Sequence, residues 1–283
     1  MIYKFITLGS NVHSHYHRTC SLFCSLLIHL NLLFRKMPSK RTKTRGRKNT
    51  NKNETTSKKI KSNTKSIINT LQFKYLTTTN LEDAALLAAT AFAKTPCYVE
   101  ILPGDEKERI LFLKWLFEKN FLLRMDKECC RCTYDGNKLV SFFMFTLPDI
   151  RHPNFCDMLR VGLISGLWSY GFSTVNRMLA TKNWMEEKEQ EVLTNLKRKN
   201  TKMIRLERMT VLPSYQGKGV GTASLREALT EADKLGLPCI LGTQESRNVT
   251  FYGRLGFKIV DECHCPVGNG YKNWMMIREP KVV

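Results

Sequence analysis

Alternating apolar and polar positions predict a domain of mixed strands and helices that begins near residue 67. Strands are predicted at 71–77, 128–134, 138–147, 203–211, 238–243, 257–265 and 272–278. Helices are predicted at 80–94, 105–119, 221–234 and 249–255. Asn80 is positioned as a helix cap, and Asp135-Gly136 is typical of a tight hairpin turn. This order predicts an α/β (α+β) fold with a mixed, mostly antiparallel sheet flanked by helices.

A helical insertion near 153–200 interrupts the alternation. Residues 158–179 are apolar and contain glycine, whereas residues 184–199 are highly charged. Two interpretations stay open. The insertion is a helical pair that completes the core beside the sheet, or it is a lid over a functional site.

The first 36 residues form an uncertain N-terminal apolar segment. The apolar run at 21–34 is shorter than the roughly 20 residues that span a bilayer. It has the length of a signal-peptide core but lacks a small-residue cleavage site, and no acid precedes Glu54, which is also typical of a mitochondrial presequence. A third interpretation is that translation starts at Met37.

Residues 37–66 form a basic arm that we predict to be disordered. The first 65 residues hold 15 Lys and Arg against one acid, so most of the net charge of +20 lies there. A segment with so few apolar residues cannot bury enough surface to offset its ordering entropy. It is either a solvated tail or a nuclear address and nonspecific polyanion contact.

The ten cysteines indicate reduced structural thiols rather than a disulfide scaffold, because a core of this size needs no cross-links. No metal site is predicted. Cys263 and Cys265 flank His264, but no second ligand pair follows at zinc spacing, and His13, His15 and His17 lie in a polar stretch.

The segment with the strongest chemical signal lies between the predicted strand 203–211 and the helix 221–234. Gly217, Gly219 and Gly221 let the backbone approach a ligand closely, and the free N–H groups of the helix start favour an anion. The spacing excludes a Walker loop, since Lys218 lies between glycines, and a dinucleotide fingerprint, since Thr222 occupies the sixth place. A phosphate or pyrophosphate site of another type is therefore predicted.

Gln216, Gly219 and Gly221 match the pattern Gln/Arg-x-x-Gly-x-Gly/Ala. A second block, Arg247-Asn-Val-Thr-Phe-Tyr-Gly-Arg-Leu-Gly-Phe, resembles Asn-x-x-x-Tyr-x-x-x-Gly-Phe. Together they resemble the GCN5-related N-acetyltransferase (GNAT) family, most of all puromycin N-acetyltransferase and its small-molecule-acetylating relatives, from about Leu206 to Arg278. The resemblance implies a splayed GNAT sheet over residues 67–283, with acetyl-CoA as co-substrate.

The resemblance also assigns roles within the site. The backbone of Met209, Thr210 and Val211 would pair with the pantetheine arm, and Asn248 would bond it. The pyrophosphate would be bound by Gln216, Gly217, Lys218, Gly219, Val220, Gly221 and Thr222.

For catalysis, Tyr252 would protonate the departing thiolate, and a backbone N–H near Met209 or Val211 would stabilise the oxyanion. Glu207 is the candidate base, on the expectation that strand parity places it on the same face as Met209 and Val211. The alternative for Glu207 is a surface carboxylate paired with Arg205 or Arg208, and for Tyr252 a core aromatic.

The expected reaction is direct acetyl transfer in a ternary complex to a primary amine, most simply that of a small molecule. One departure from the family is Gly242, where relatives often carry Glu; it weakens any transfer of puromycin as substrate. Two alternatives stay open: a protein lysine or N-terminal acetyltransferase, and a nucleic-acid-associated protein with an inactive GNAT scaffold. The cytoplasm is the expected compartment, with the nucleus or, given a presequence, the mitochondrion as alternatives.

Overall fold

The computed structural model describes residues 68–151, 153–163 and 165–281. The strands are β1 (Leu71–Tyr75), β2 (Cys130–Asp135), β3 (Lys138–Thr146), β4 (Ile204–Val211), β5 (Cys239–Thr243), β6 (Lys258–Cys265) and β7 (Tyr271–Arg278). The helices are α1 (Leu81–Phe92), α2 (Pro96–Ile101), α3 (Glu106–Leu122), α4 (Phe155–Arg160), α5 (Ser165–Asn195), α6 (Val220–Leu235) and α7 (Ser246–Gly253).

The seven strands form one sheet in the order β1-β2-β3-β4-β5-β7-β6. Every neighbouring pair is antiparallel except β4 and β5, which are parallel. The predicted mixed, mostly antiparallel sheet flanked by helices is confirmed. The β4–β5 pair is also the shortest, with Ile204 opposite Cys239 and Arg205 opposite Ile240, so the two strands separate beyond Arg205.

Apolar side chains on the two sides of the sheet form separate cores. On the first face, α1, α2 and α3 cover β2 and β3, where Phe112, Phe117 and Phe142 are completely buried. On the second face, α6 and α7 cover β3, β4 and β5, burying Leu206, Leu225 and Leu241. β3 contributes alternate residues to the two cores, Phe142 and Met144 to the first and Phe143 and Phe145 to the second, because successive side chains point to opposite faces.

The insertion packs on the first face of the sheet. Its main helix, α5, is interrupted at Gly171, whose φ of 77° and ψ of 156° are not helical. Beyond that break, Val192 and Leu193 are buried against Ile240 and Met275. This end of α5 is therefore part of the core, which favours the first of the two interpretations drawn from the sequence.

Local details differ from the predicted helices. α2 was not predicted, because six residues are too short to show a helical period, although Pro96 occupies the first turn where proline is tolerated. Asn80 precedes α1 as expected, but its side chain donates to Thr77 Oγ1 rather than capping the helix. α3 instead begins with a true cap, in which the Asp105 carboxylate accepts from the Lys107 N–H.

The predictions for residues 1–36 and for the basic arm at 37–66, including His13, His15 and His17, lie outside the described residues. Among the helices of the described part, none is long and apolar enough to cross a membrane.

Candidate active site

The glycine-rich loop connects the end of β4 to the start of α6. Pro213–Tyr215 forms one turn of 3-10 helix, and Gln216 Nε2 donates back to the Val211 carbonyl oxygen at 3.0 Å. Tyr215 fastens the loop to the β2–β3 hairpin, since its hydroxyl donates to Asp135 Oδ2 at 2.9 Å. Gly217 and Gly219 have φ values of 74° and 78°, in the region that favours glycine.

The start of α6 presents a set of unused donors. Ala223 is the first helical residue whose N–H bonds a backbone oxygen, that of Gly219. Within the part of the chain described here, the backbone N–H groups with no hydrogen-bond partner at this turn are those of Gly217, Gly219, Val220, Gly221 and Thr222. Such donors, together with the positive end of the helix dipole, favour a phosphate or pyrophosphate group.

Gly221 allows the first turn of α6 to lie directly on β4. A Cβ atom added there would lie 3.1 Å from Val211 Cγ2, 3.3 Å from Met209 Cε and 3.4 Å from Phe251 Cζ. Glycine therefore brings α6, β4 and α7 together at one point, which joins the two sequence blocks in space.

A β-bulge at Arg208 overturns the parity expected for Glu207. Arg208 has a φ of 53°, and the register between β3 and β4 shifts at this position. The extra residue reverses the alternation, as bulges do. Met209 therefore packs on the second face with Leu206, whereas Glu207 points to the first face.

The separation of β4 from β5 leaves one edge of β4 without a strand partner. Thr210 and Val211 pair with β3, and Met209 directly follows the bulge. None of these three residues has a partner on β5. A strand with such an open edge can bind an extended ligand through main-chain hydrogen bonds. The opening begins just past Arg205 and leads to the glycine-rich loop.

Asn248 and Tyr252 lie on α7, on the second face beside this opening. Asn248 Nδ2 donates to Thr243 Oγ1 at 3.2 Å, at the end of β5. The Tyr252 ring packs edge-on against Phe257 with centroids 5.7 Å apart. Its hydroxyl makes no hydrogen bond to any described residue, and burial raises the pKa of Tyr252 above the usual tyrosine value.

Glu207 lies on the first face between two guanidinium groups. Its Oε2 is 3.5 Å from Arg124 Nη1, and its Oε1 is 3.6 Å from Arg208 Nη1. Arg205 pairs instead with Glu189 of α5. The side chain of Glu207 is 33% exposed, so solvent reaches it. The expected partner Arg208 is present, and Arg124 was missed because it lies two residues after α3, far away in sequence.

Other polar groups of the first face also escaped sequence analysis. Asn273 on β7 is buried, and its Oδ1 accepts from Gln244 Nε2 at 2.8 Å. A Cβ atom on Gly242 would lie 3.7 Å from the same oxygen. Only strand pairing brings these residues to the opening, and no local signal in the sequence predicts it.

The described cysteines are free, and most are buried. Burial raises the pKa of the Cys97 thiol to about 11 and that of Cys239 to about 12. In the same part of the chain, His, Cys, Asp and Glu side chains form no group of three that could hold a metal ion.

Residues 182–259 match the family model described as "Acetyltransferase (GNAT) domain". This range contains β4, the glycine-rich loop, α6, β5 and α7, and hence most of the site described above.

Solved structures resemble the fold at low sequence identity. A protein described as arylalkylamine N-acetyltransferase 7 of the yellow fever mosquito has a TM-score of 0.52 at 13% identity, covering 74% of this chain and 87% of that chain. A mutant agmatine N-acetyltransferase in its apo form has a TM-score of 0.51 at 9% identity, covering 74% and 99%. PaiA N-acetyltransferase from Thermoplasma acidophilum, in complex with coenzyme A, has a TM-score of 0.45 at 16% identity, covering 74% and 98%.

The predicted enzyme class, an acyltransferase of the N-acetyltransferase type, is confirmed by the match of residues 182–259 to the acetyltransferase family model. The likeness to the puromycin subgroup stays a prediction from the sequence. The chain has the GNAT fold, and its residues 182–259, which include the glycine-rich loop and the Asn248–Tyr252 helix, are similar to the GNAT acetyltransferase domain.

Proposed function

We propose that the protein transfers acetyl from acetyl-CoA to the primary amine of a small molecule by direct attack in a ternary complex. The observation that carries the proposal is the opening between β4 and β5, which ends at the unused N–H groups of α6. An extended arm with a pyrophosphate at one end has the shape and charge that this arrangement fits.

The residues present fit this co-substrate along the whole opening. Gln216 to Thr222 would hold the pyrophosphate, and the free edge of Met209 to Val211 would bind the pantetheine arm. Asn248 would add a side-chain bond. Because Gly221 lets α6 contact β4, the phosphate donors and the strand edge form one continuous surface.

Two groups on opposite faces of the sheet would handle the protons. The Tyr252 hydroxyl makes no hydrogen bond to a described residue, and burial of the residue raises its pKa above the usual tyrosine value, so it stays protonated and can protonate a leaving thiolate. Glu207 reaches solvent on the first face and can accept a proton from the incoming amine, directly or through a water. Because the two groups lie on opposite faces of the sheet, the amine would enter from the first face and the thioester from the second.

Direct attack is favoured over a cysteine relay. The two motif blocks contain no cysteine. A thiol is nucleophilic only as thiolate. Burial keeps Cys97 and Cys239 protonated at neutral pH, with pKa values raised to about 11 and about 12.

A small acceptor is favoured over a peptide because the first face is covered next to the opening. α2 is tied to the β6–β7 turn, where the Asn269 backbone N–H donates to Glu100 Oε2 at 2.8 Å. α5 lies on the same face, held by the ion pair of Glu189 with Arg205. A peptide would need an open groove across this face.

Calorimetric titration of acetyl-CoA into the full chain tests the proposal. Gly219→Glu places a carboxylate among the phosphate donors, and we expect it to abolish binding by electrostatic repulsion. Gly236→Glu is the matched control, since Gly236 ends the same helix with a φ of 64° and has no atom within 4 Å of an added Cβ. Absence of binding to a folded wild-type protein, or equal loss in both variants, would contradict the proposal.

A further inference from the structure

We infer that the acceptor amine carries an anionic group, a carboxylate in the simplest case, and that Arg208 binds it. This inference rests on the proposed function, and names the class of acceptor at the same site. Four observations support it: the charge around Glu207, an unpartnered donor on Arg208, the position of Arg208, and its backbone conformation.

The charges around Glu207 do not balance. Within the described residues, Arg124 and Arg208 each have Glu207 as their sole ion-pair partner, at 3.5 and 3.6 Å. Both distances are longer than those of a close, charge-assisted hydrogen bond. One carboxylate shared by two guanidinium groups leaves a net positive charge beside the opening, and an anion from the acceptor would neutralise it.

Arg208 also has an unused buried donor. Its Nε is buried and has no hydrogen-bond partner among the described residues. Around it, Nη1 lies 3.4 Å from Met144 Sδ, and the guanidinium carbon lies 5.6 Å from the centre of the Phe117 ring. The Tyr98 hydroxyl and the Cys130 thiol are further polar neighbours of the guanidinium. A buried N–H group without an acceptor is unfavourable, so a ligand oxygen that reached Nε after a small movement of the Arg208 side chain would gain a hydrogen bond.

The position of Arg208 links this donor to the reaction. Arg208 is the residue of the bulge, next to Met209 on the open edge of β4 and next to the candidate base Glu207. Its side chain points to the first face, from which the amine is proposed to enter. An anionic group one to a few bonds from the amine would therefore meet Arg208 while the amine meets Glu207.

The backbone of Arg208 supports a functional role. A φ of 53° is unfavourable for a residue with a long side chain, and such conformations cluster at binding sites. Arg205, three residues earlier on the same face, offers a contrast: its backbone is regular, and Glu189 satisfies its guanidinium. Arg205 is therefore a matched control for the loss of a positive charge on β4.

The test compares acceptors that differ in one charge. Acetylation rates are measured for glycine, β-alanine and γ-aminobutyrate, and each is compared with its primary amide. The concentration of every acceptor is corrected for the fraction of its amine that is unprotonated. We expect kcat/KM for the best carboxylate to exceed that for its amide by about 10- to 100-fold, as for a hydrogen bond to a charged group. We expect Arg208→Met to bring the ratio close to one and Arg205→Met to leave it unchanged.

The outcomes separate this inference from the proposed function. If acetyl-CoA binds and amides are acetylated as well as carboxylates, the inference fails and the proposed function stands. The inference is also overturned if Arg208→Met and Arg205→Met change the carboxylate-to-amide ratio of kcat/KM equally. If acetyl-CoA does not bind, the proposed function itself fails. Should Arg208→Met not fold, Arg208→Lys keeps the charge but loses the planar pair of donors, and a reduced ratio is then expected.

Discussion

Tyr252 has a buried ring and lies beside the opening between β4 and β5. The ring is buried between Phe251 and Phe257, yet the hydroxyl has no hydrogen-bond partner among the described residues. The hydroxyls of Tyr134 and Tyr271 also lack a hydrogen-bond partner in the described part of the chain, so the feature that distinguishes Tyr252 is its place beside the opening. A general acid at this position would require the hydroxyl, whereas a purely structural residue would be served as well by phenylalanine.

Tyr252→Phe tests this role at the scale of one residue. We expect kcat to fall about 100-fold or more, the usual contribution of a general acid. Since no hydrogen bond within the protein is lost, the free energy of unfolding should change by less than about 1 kcal/mol. Steady-state kinetics and urea denaturation measure the two effects. A variant with normal kcat would make Tyr252 a core residue only.

At the scale of elements, a buried ion pair fastens α6 to the end of β7. Arg278 donates to both oxygens of Asp233, at 2.8 and 2.7 Å, and the backbone N–H of Lys281 donates to Asp233 Oδ1. Arg278 Nε also bonds the Leu255 carbonyl, just before the turn that leads to β6. The pair thus connects α6, the segment after α7 and β7 on the side of the sheet that carries the glycine-rich loop.

Asp233→Asn should destabilise the protein by about 3 kcal/mol, because it leaves the Arg278 guanidinium buried without a counter-charge. Asp126→Asn, which removes an exposed partner of Lys127, should change stability by less than about 0.5 kcal/mol. Urea denaturation of both variants at neutral pH measures the difference. Equal effects would show that the Asp233 pair contributes no more than a surface pair.

The same pair predicts an acid dependence. Hydrogen bonds from the Arg278 guanidinium and from the Lys281 backbone N–H hold the pKa of Asp233 below its usual value. A lowered folded-state pKa contributes stability that is present above about pH 4, the unfolded value, and is lost as the pH falls through the folded-state pKa. The stability gap between wild type and Asp233→Asn should therefore narrow below about pH 4, and a gap that widens there would contradict this assignment.

At the scale of the whole molecule, residues 68–281 contain the seven strands, the cores and the candidate site described above. A chain that starts at residue 67 should therefore keep its unfolding temperature within about 2 °C and its affinity for acetyl-CoA. Calorimetry of the shortened and full chains measures both. A shortened chain that unfolds early or binds acetyl-CoA poorly would mean that the basic arm belongs to the domain.

Much of the fold could be predicted from the chain because its signals are local. The period of apolar residues predicted all seven strands and the main helices within a few residues. Gly217, Gly219 and Gly221 predicted the loop because turn chemistry depends on adjacent residues. α2 was missed because its six residues span less than two turns, too few for a period to be visible.

The amino-acid sequence by itself determined the mixed sheet, the glycine-rich turn at the start of α6 and the domain's family resemblance. Only the tertiary structure decided which face each side chain of β4 occupies, since the bulge at Arg208 arises from pairing with β3. It also decided that Arg124, Glu207 and Arg208 meet, and that α5 joins the core. These features depend on contacts between residues far apart in the chain, and no local pattern encodes such contacts.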